Sequence, residues 1–336
     1  MSKFLCLLFL PFALCAQEVS PQEVERQLKE AEALYKKAKQ MFSPWYTGPL
    51  VTPGAGMMPV GVGNTQPYVF VVDNYAMYDG DRKSIDLPSR LVQLKGTANI
   101  QTGITDNFDF SVACFGEANW QSNQSGGGFG DMTATAGFLI YTETPYIPAA
   151  KITITETFPT GSYRNLNTNG LNLSGVGAGA YSTQVGLGFS KIVFWATKHP
   201  MNLRCFFGYQ LSTVVHVKGF NTYGGGFGCD GRVRPGNNFG ADFGAEFSFN
   251  EQWVAAMDVV YTTTDANKFH GNPGTLAGNL PAAVGTPSQD NLSLAPALEY
   301  NWNPNVAMIA GVQFSVYGRN SLNFISGIIS FTYTFP

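Results

Sequence analysis

Asp242, Glu246 and Asp258 lie close together late in the chain, and a group of carboxylates of this kind can move protons in acid–base work. Glu299 follows them, Glu117 stands apart and earlier, and Lys95, Lys151 and Arg204 are the cations read with them. Nucleophilic chemistry finds less support. His199, His216 and His270 are the three histidines; only His216 falls on a strand, where it is expected to face inward, and the three are scattered so that they form neither a Ser/His/Asp triad nor a metal cluster. Gly175-Val-Gly-Ala-Gly179 and Gly224-Gly-Gly-Phe-Gly228 look like phosphate loops, but neither opens a helix after a buried strand. Past the leader, Cys114, Cys205 and Cys229 are odd in number and show no CxxC spacing, which excludes a disulfide scaffold and a zinc site. Cys114 and Cys205 fall on apolar strand faces, whereas Cys229, in a Gly-rich loop, is a candidate for pairing between molecules. The eight charges therefore read as electrostatics of a cavity, with no catalytic residue, no metal ligand and no cofactor assigned.

What positions them is a pattern of period two. Asn107–Trp120 sets Phe108, Phe110, Val112, Cys114, Ala118 and Trp120 against Asp109, Ser111, Glu117 and Asn119. Arg90–Gly103 and Asn238–Phe249 alternate in the same way, and a slip of one residue would move their charges to the apolar face. Two strands fit less well: Glu156 joins the apolar face of Ile152 and Ile154, and Lys191 that of Val185, Leu187 and Phe189. A bulge or a place at a headgroup interface would accommodate either. The last stretch, Leu322–Phe335, carries Ile325, Ile329, Phe331, Tyr333 and Phe335 on one face and small polar residues on the other. It is similar to the C-terminal signal of bacterial outer-membrane proteins, except that Pro336 follows the final aromatic.

Composition narrows the class. Only 13% of the 336 residues are charged and 38 are glycine, against about 25% charged in ordinary soluble domains. Beyond the N-terminus no apolar run reaches the roughly 20 residues of a spanning helix, so a membrane chain of this kind is left with a closed barrel. A formal net charge of −3 gives no reason to expect nucleic acid or an anionic membrane surface as a partner. Twelve amphipathic segments follow from Pro67, and the connections between them alternate between tight turns and longer loops, as bacterial barrels sort them between periplasm and exterior. Among the longer ones 79–89 and 121–129 are of medium length, and only 318–321 breaks the series by being short.

Residues 1–16 read as a signal peptide cut before Gln17, since Leu14 is too large for acylation of Cys15. In 17–42, Ser20-Pro21-Gln22-Glu23 starts an amphipathic helix, with Val24, Leu28, Ala31, Tyr35, Ala38 and Phe42 in a heptad stripe. That stripe suits a helix lying on or inside the barrel, or a short coiled coil that self-associates into a homo-oligomer. Residues 43–66 are rich in Pro and Gly yet apolar, which suggests an extended segment at the rim or threaded into the lumen; 67–336 form the barrel.

Several stretches carry a family likeness: Ser43-Pro-Trp-Tyr-Thr-Gly-Pro-Leu50, Gln66-Pro-Tyr-Val-Phe70, Gly103-Ile-Thr-Asp-Asn-Phe-Asp109, Gly128-Phe-Gly-Asp131 and Thr157-Phe-Pro-Thr-Gly161. Over roughly 45–335 the chain resembles an outer-membrane barrel family named for the meta-pathway of phenol degradation. The resemblance implies a transporter or channel for small, often aromatic or hydrophobic compounds, and supplies no site residues.

The expectation is an all-β transmembrane fold, a 12-stranded antiparallel up-and-down β-barrel with an N-terminal amphipathic helix, in the bacterial outer membrane with its N-terminus periplasmic. Lys95, Lys151 and Arg204 on earlier strands would face Asp242, Glu246, Asp258 and Glu299 across the lumen, with Glu117 the exception, giving a transverse field that tunes selectivity. The alternative arrangement has these charges pair and fill the lumen. The function expected is passage of small solutes. Its rival is a closed structural or surface-interaction barrel whose outer loops 160–179, 217–237 and 265–290 bind partners. Outer-membrane lipid and the barrel-assembly machinery complete the expected partners.

Overall fold

The computed structural model describes residues 20–41, 46–48, 50–167 and 171–336. The expected signal peptide, and Phe42 of the heptad stripe, lie outside them. The helix α1 runs Pro21–Met41, with the Ser20 hydroxyl accepting from Glu23 N–H at 3.2 Å as an N-cap. Seventeen strands follow: β1 Gly63–Thr65, β2 Tyr68–Tyr78, β3 Ser84–Thr105, β4 Phe108–Gln121, β5 Gln124–Phe129, β6 Met132–Tyr141, β7 Ala149–Phe158, β8 Ser182–Val193, β9 Met201–Ser212, β10 Val215–Lys218, β11 Asp230–Arg234, β12 Asn238–Ser248, β13 Trp253–Thr264, β14 Lys268–Asn272, β15 Gln289–Asn303, β16 Val306–Arg319 and β17 Leu322–Phe335.

The wall has twelve strands because β1 with β2, and β5 with β6, each make one interrupted strand: β1 pairs with β3 and β17 below β2, and β5 prolongs β6 along β4. All pairings are antiparallel, and β17 returns to β2, so the sheet closes. Closure removes the edges that lipid could not hydrogen-bond.

Three expectations are corrected here. The wall begins at Gly63, before Pro67, because Gln66-Pro67 interrupts the strand without ending it. Residues 121–129, expected as a loop, are a two-residue turn followed by β5: Ser122 and Asn123 both take positive φ, 50° and 61°, as a type I′ hairpin requires. The glycines of β5 concealed it. Likewise β3 extends to Ser84, leaving a short turn at 79–83, so three connections at that end are long: 159–181, 213–237 and 265–288. The two misfit residues sit at the rims. Glu156 accepts from the Thr183 hydroxyl at 2.6 Å two residues from the end of β7, and Lys191 Nζ reaches Glu143 at 3.1 Å near the opposite end. Cys229 is 3% exposed, packed among loop side chains, so its thiol is not presented at the surface for pairing between molecules.

Candidate functional site

The lumen is divided into two parts by the chain itself. Residues 46–48 and 50–62 enter from the short-turn end, rise to mid-height and return. Tyr46 lies near the entry, its phenol oxygen accepting from the Ser248 hydroxyl at 2.9 Å. Thr47 N–H then donates to Glu299 Oε1 and Val51 N–H to Asp258 Oδ2, each at 2.8 Å. Descending, Ala55 N–H donates to Ser190 Oγ at 2.8 Å, and Lys151 Nζ donates to the Gly56 carbonyl at 3.3 Å. Val60 finally bridges Gly103 at the bottom of β3. An irregular segment inside a barrel must find partners for its main chain, and these inward side chains supply them.

Its tip is apolar. Leu50 is 2% exposed and packs with Ala256, Ala295, Ala297, Ile309 and Ile328, with Val51, Tyr68 and Phe70 around them. Small alanines on the inner faces of β13 and β15 make room for it. Gly48 and Gly54 flank the tip because Cβ atoms there would stand 2.9 and 2.8 Å from Arg204 Nη1.

Above this floor, toward the long loops, is a cavity of about 570 Å³. Phe70, which also touches the Leu50 cluster, lines it with Val72, Phe115 and Phe324, while Gln93, Asn291, Gln313 and Ser326 present amide and hydroxyl groups. Lys95 and Asp290 carry charge there; Asp290 is bonded by Arg82, and Arg319 approaches it at 3.2 Å. Residues 159–167 and 171–181 lean over the remaining space. Asn119 Nδ2 donates to the Leu173 carbonyl at 2.8 Å, and Asp131 accepts from Gly161 and Ala178 N–H at 2.9 and 2.7 Å. A Cβ at Gly126 would stand 2.7 Å from Leu173, so the glycines of β5 admit this loop.

The expected charges do not oppose each other across the lumen. Lys95 lies 3.6 Å from Glu117, its register partner on β4; Lys151 lies 2.6 Å from Asp109; Arg204 lies 2.9 Å from Glu246 on the adjacent wall strand β12. Each base instead meets an acid on its own part of the wall: Glu117 and Glu246 on adjacent strands, and, two strands away across β6 from Lys151, Asp109, which period-two reading placed inward without a role. Asp258 and Glu299 hold the lumen segment instead, and Asp242 stands one turn of the pleat above Gly244, which is the register partner of Asp258. Asn202 and Asn301 also serve the site, donating to Glu246 and Glu299 at 2.7 Å. Nothing in their spacing distinguishes them from other inward amides. His216, expected to face inward, is exposed beyond the wall and bonds Asp230 at 2.8 Å, because the strand breaks after Ser212 and its alternation restarts. Among the described residues no three His, Cys, Asp or Glu side chains gather to hold a metal ion.

A closed twelve-stranded wall with an inward N-terminal segment accompanies a match over residues 76–331 to the family model for the MetA-pathway of phenol degradation. The chain belongs to that family. Its fold is similar to an outer membrane channel from Pseudomonas putida F1, at 14% identity over 85% of this chain and 100% of that one, with a TM-score of 0.65. Lower similarity, which carries no argument, extends to the translocator domain of the autotransporter NalP from Neisseria meningitidis: 11% identity, 93% and 95% coverage, TM-score 0.45. No curated protein matches the sequence. The architecture of this family member is thus that of outer-membrane β-barrels, and among its described residues no helix is long and apolar enough to cross a membrane.

Proposed function

We propose that this protein is a gated channel of the outer membrane for small amphipathic solutes, with its N-terminus periplasmic and its long loops outside. One observation carries the reading: the upper cavity mixes three phenylalanines with amides and hydroxyls, and its floor is the chain's own Leu50 tip. A wall strand would be a permanent barrier. A tip on a Pro- and Gly-rich segment, held by two main-chain bonds to carboxylates, is a movable one. Aromatic solutes with one or two polar groups suit the cavity, since rings stack on Phe70, Phe115 or Phe324 while amides of Gln93 and Gln313 fix orientation.

The helix α1 supports a periplasmic cap. Tyr35 is 5% exposed, its ring edge-on to Trp195 at 5.1 Å and under Lys191 Nζ at 5.2 Å. Val24 and Leu28, earlier in the heptad stripe, remain exposed and are the face through which a homo-oligomer would form. Replacing Leu28 by Glu then abolishes oligomers in detergent; an unchanged mass rejects oligomerisation through this face.

The test is single-channel conductance of the full-length protein in planar bilayers, beside Asp258→Ala/Glu299→Ala. The reading expects brief openings in the native protein and longer ones in the variant. Silence in both favours the rival, a closed barrel acting through its outer loops.

A further inference from the structure

The wall continues beyond its lipid-facing band. Outward-facing Tyr209 on β9 and Tyr261 on β13 mark an interfacial level. Past it, β9, β12 and β13 are prolonged by β10, β11 and β14, which pair in the same lateral order. Side chains alternate across this small sheet. Val215, Val217 and Val233 are buried with Ala180 and Cys229; Phe269 of β14 packs beside its register partner Val233, and Tyr163, Tyr223 and Val284 pack on them from the loops. The opposite face turns away from those loops and is exposed.

That face is basic. Register sets His216 beside Arg232 and Arg232 beside His270, Lys218 beside Asp230, and Arg234 beside Lys268. Asp230 is already engaged, by His216 at 2.8 Å and Lys218 at 3.7 Å, and the His216 hydrogen bond holds its carboxyl below the usual range. Among the described residues Arg232, Arg234 and Lys268 make no ion pair. Like charges directly opposite on a sheet are unfavourable unless something anionic lies over them. The three long loops hold five Lys or Arg against two Asp in a chain of net charge −3, so the overall balance hides this face.

We propose that it docks the phosphorylated headgroup of lipopolysaccharide in the outer leaflet beside the barrel. The proposal rests on the reading that the long loops face outward. Position and chemistry converge: the cations stand just beyond the aromatic level, on the side facing away from the loops that cover the mouth, where a lipid headgroup lies. Arginine forks match phosphate oxygens in pairs, and adjacent rows of the sheet space them for a headgroup with more than one phosphate.

The experiment titrates full-length protein in detergent with deep-rough lipopolysaccharide, following binding by calorimetry. Native protein should bind saturably. Arg232→Gln/Arg234→Gln/Lys268→Gln should weaken binding at least about tenfold, since each cation near an anionic surface contributes measurably, while the folded barrel's heat-modifiable migration stays unchanged. Dephosphorylated lipopolysaccharide should bind as weakly. If the triple variant fails to assemble, Arg232→Gln alone should still cost about threefold. Lys36→Gln/Lys37→Gln, on α1 at the opposite end, should change nothing. Equal binding by native and substituted protein, equal binding of the dephosphorylated form, or full competition by inorganic phosphate or phosphatidylglycerol vesicles would each overturn the proposal. Conductance of the same samples separates the two readings: lost binding with intact channels sinks only the docking face, and silent channels with intact binding sink only transport.

Discussion

Asp258 and Glu299 decide whether the lumen segment stays in place. Each accepts a main-chain N–H at 2.8 Å, and a hydrogen bond to a charged group contributes about 1.5–3 kcal/mol. Asp258→Ala therefore raises the population with a displaced tip by roughly ten- to a hundredfold. Thiol labelling of Leu50→Cys in that background measures it, and unchanged labelling refutes the anchor. Gly103 is the matching residue where the segment leaves. A Cβ there would run into the carbonyl oxygens of Met58 and Pro59, which are main chain and cannot rotate aside. Gly103→Ala should dislodge residues 58–62 from the rim and raise conductance; a native-like trace would show that the exit is not constrained. The pairs Lys95–Glu117 and Arg204–Glu246 are local, so single neutralisations should shift ion selectivity weakly compared with the effect of Asp258→Ala on opening.

At the scale of elements, α1 is held mainly by Tyr35. Burial first, then the neighbouring Glu143 carboxylate, push its phenol well above the ordinary tyrosine value. The docked state therefore favours the protonated ring. Its contribution is fully present below about pH 10, the pKa of a free tyrosine, and is lost as the pH rises above that. Trp195 fluorescence should report α1 leaving the rim between neutral and strongly alkaline pH, and Tyr35→Phe should abolish the transition. A transition retained by Tyr35→Phe would assign it elsewhere. β5 is the other element with a distinct part. It pairs only with β4 among the described residues, and its glycines accept the loop 159–181 on the inner side. Gly126→Leu should displace that loop while leaving the wall closed through β6.

For the molecule as a whole, closure depends on the last strand meeting the first. β17 pairs with β16, β2 and β1, and the Phe335 ring lies over Gly63, where a Cβ would collide with it. Phe335→Ala removes both the ring packed at the seam and the terminal aromatic girdle residue. The expected outcome is a lower fraction of heat-modifiable, assembled barrel in isolated outer membranes; full assembly would show that Pro336 and Tyr333 suffice. Conductance belongs to this scale too, since the proposed gating needs an intact wall, a cavity and a floor that moves.

Alternation in strands such as Asn107–Trp120, the turns between them and the low charge were enough to specify a twelve-stranded barrel with these side chains inward, because facing is a local consequence of strand geometry. The helix start at Ser20-Pro21 was legible for the same reason. Which inward charge meets which was not, since Lys151 and Asp109 are separated by a whole strand and meet only because Gly137 of that strand puts no side chain between them. Nor could composition distinguish a rim segment from a plug: residues 46–48 and 50–62 enter the lumen because Ala256, Ala295 and Ala297, far along the chain, leave room for Leu50. The basic outer face escaped notice because its residues are few, lie in three separated segments, and become neighbours only through the pairing of β10, β11 and β14. Periodicity acts along the chain, whereas the cavity, the floor and that face depend on distances across it, which closure alone determines.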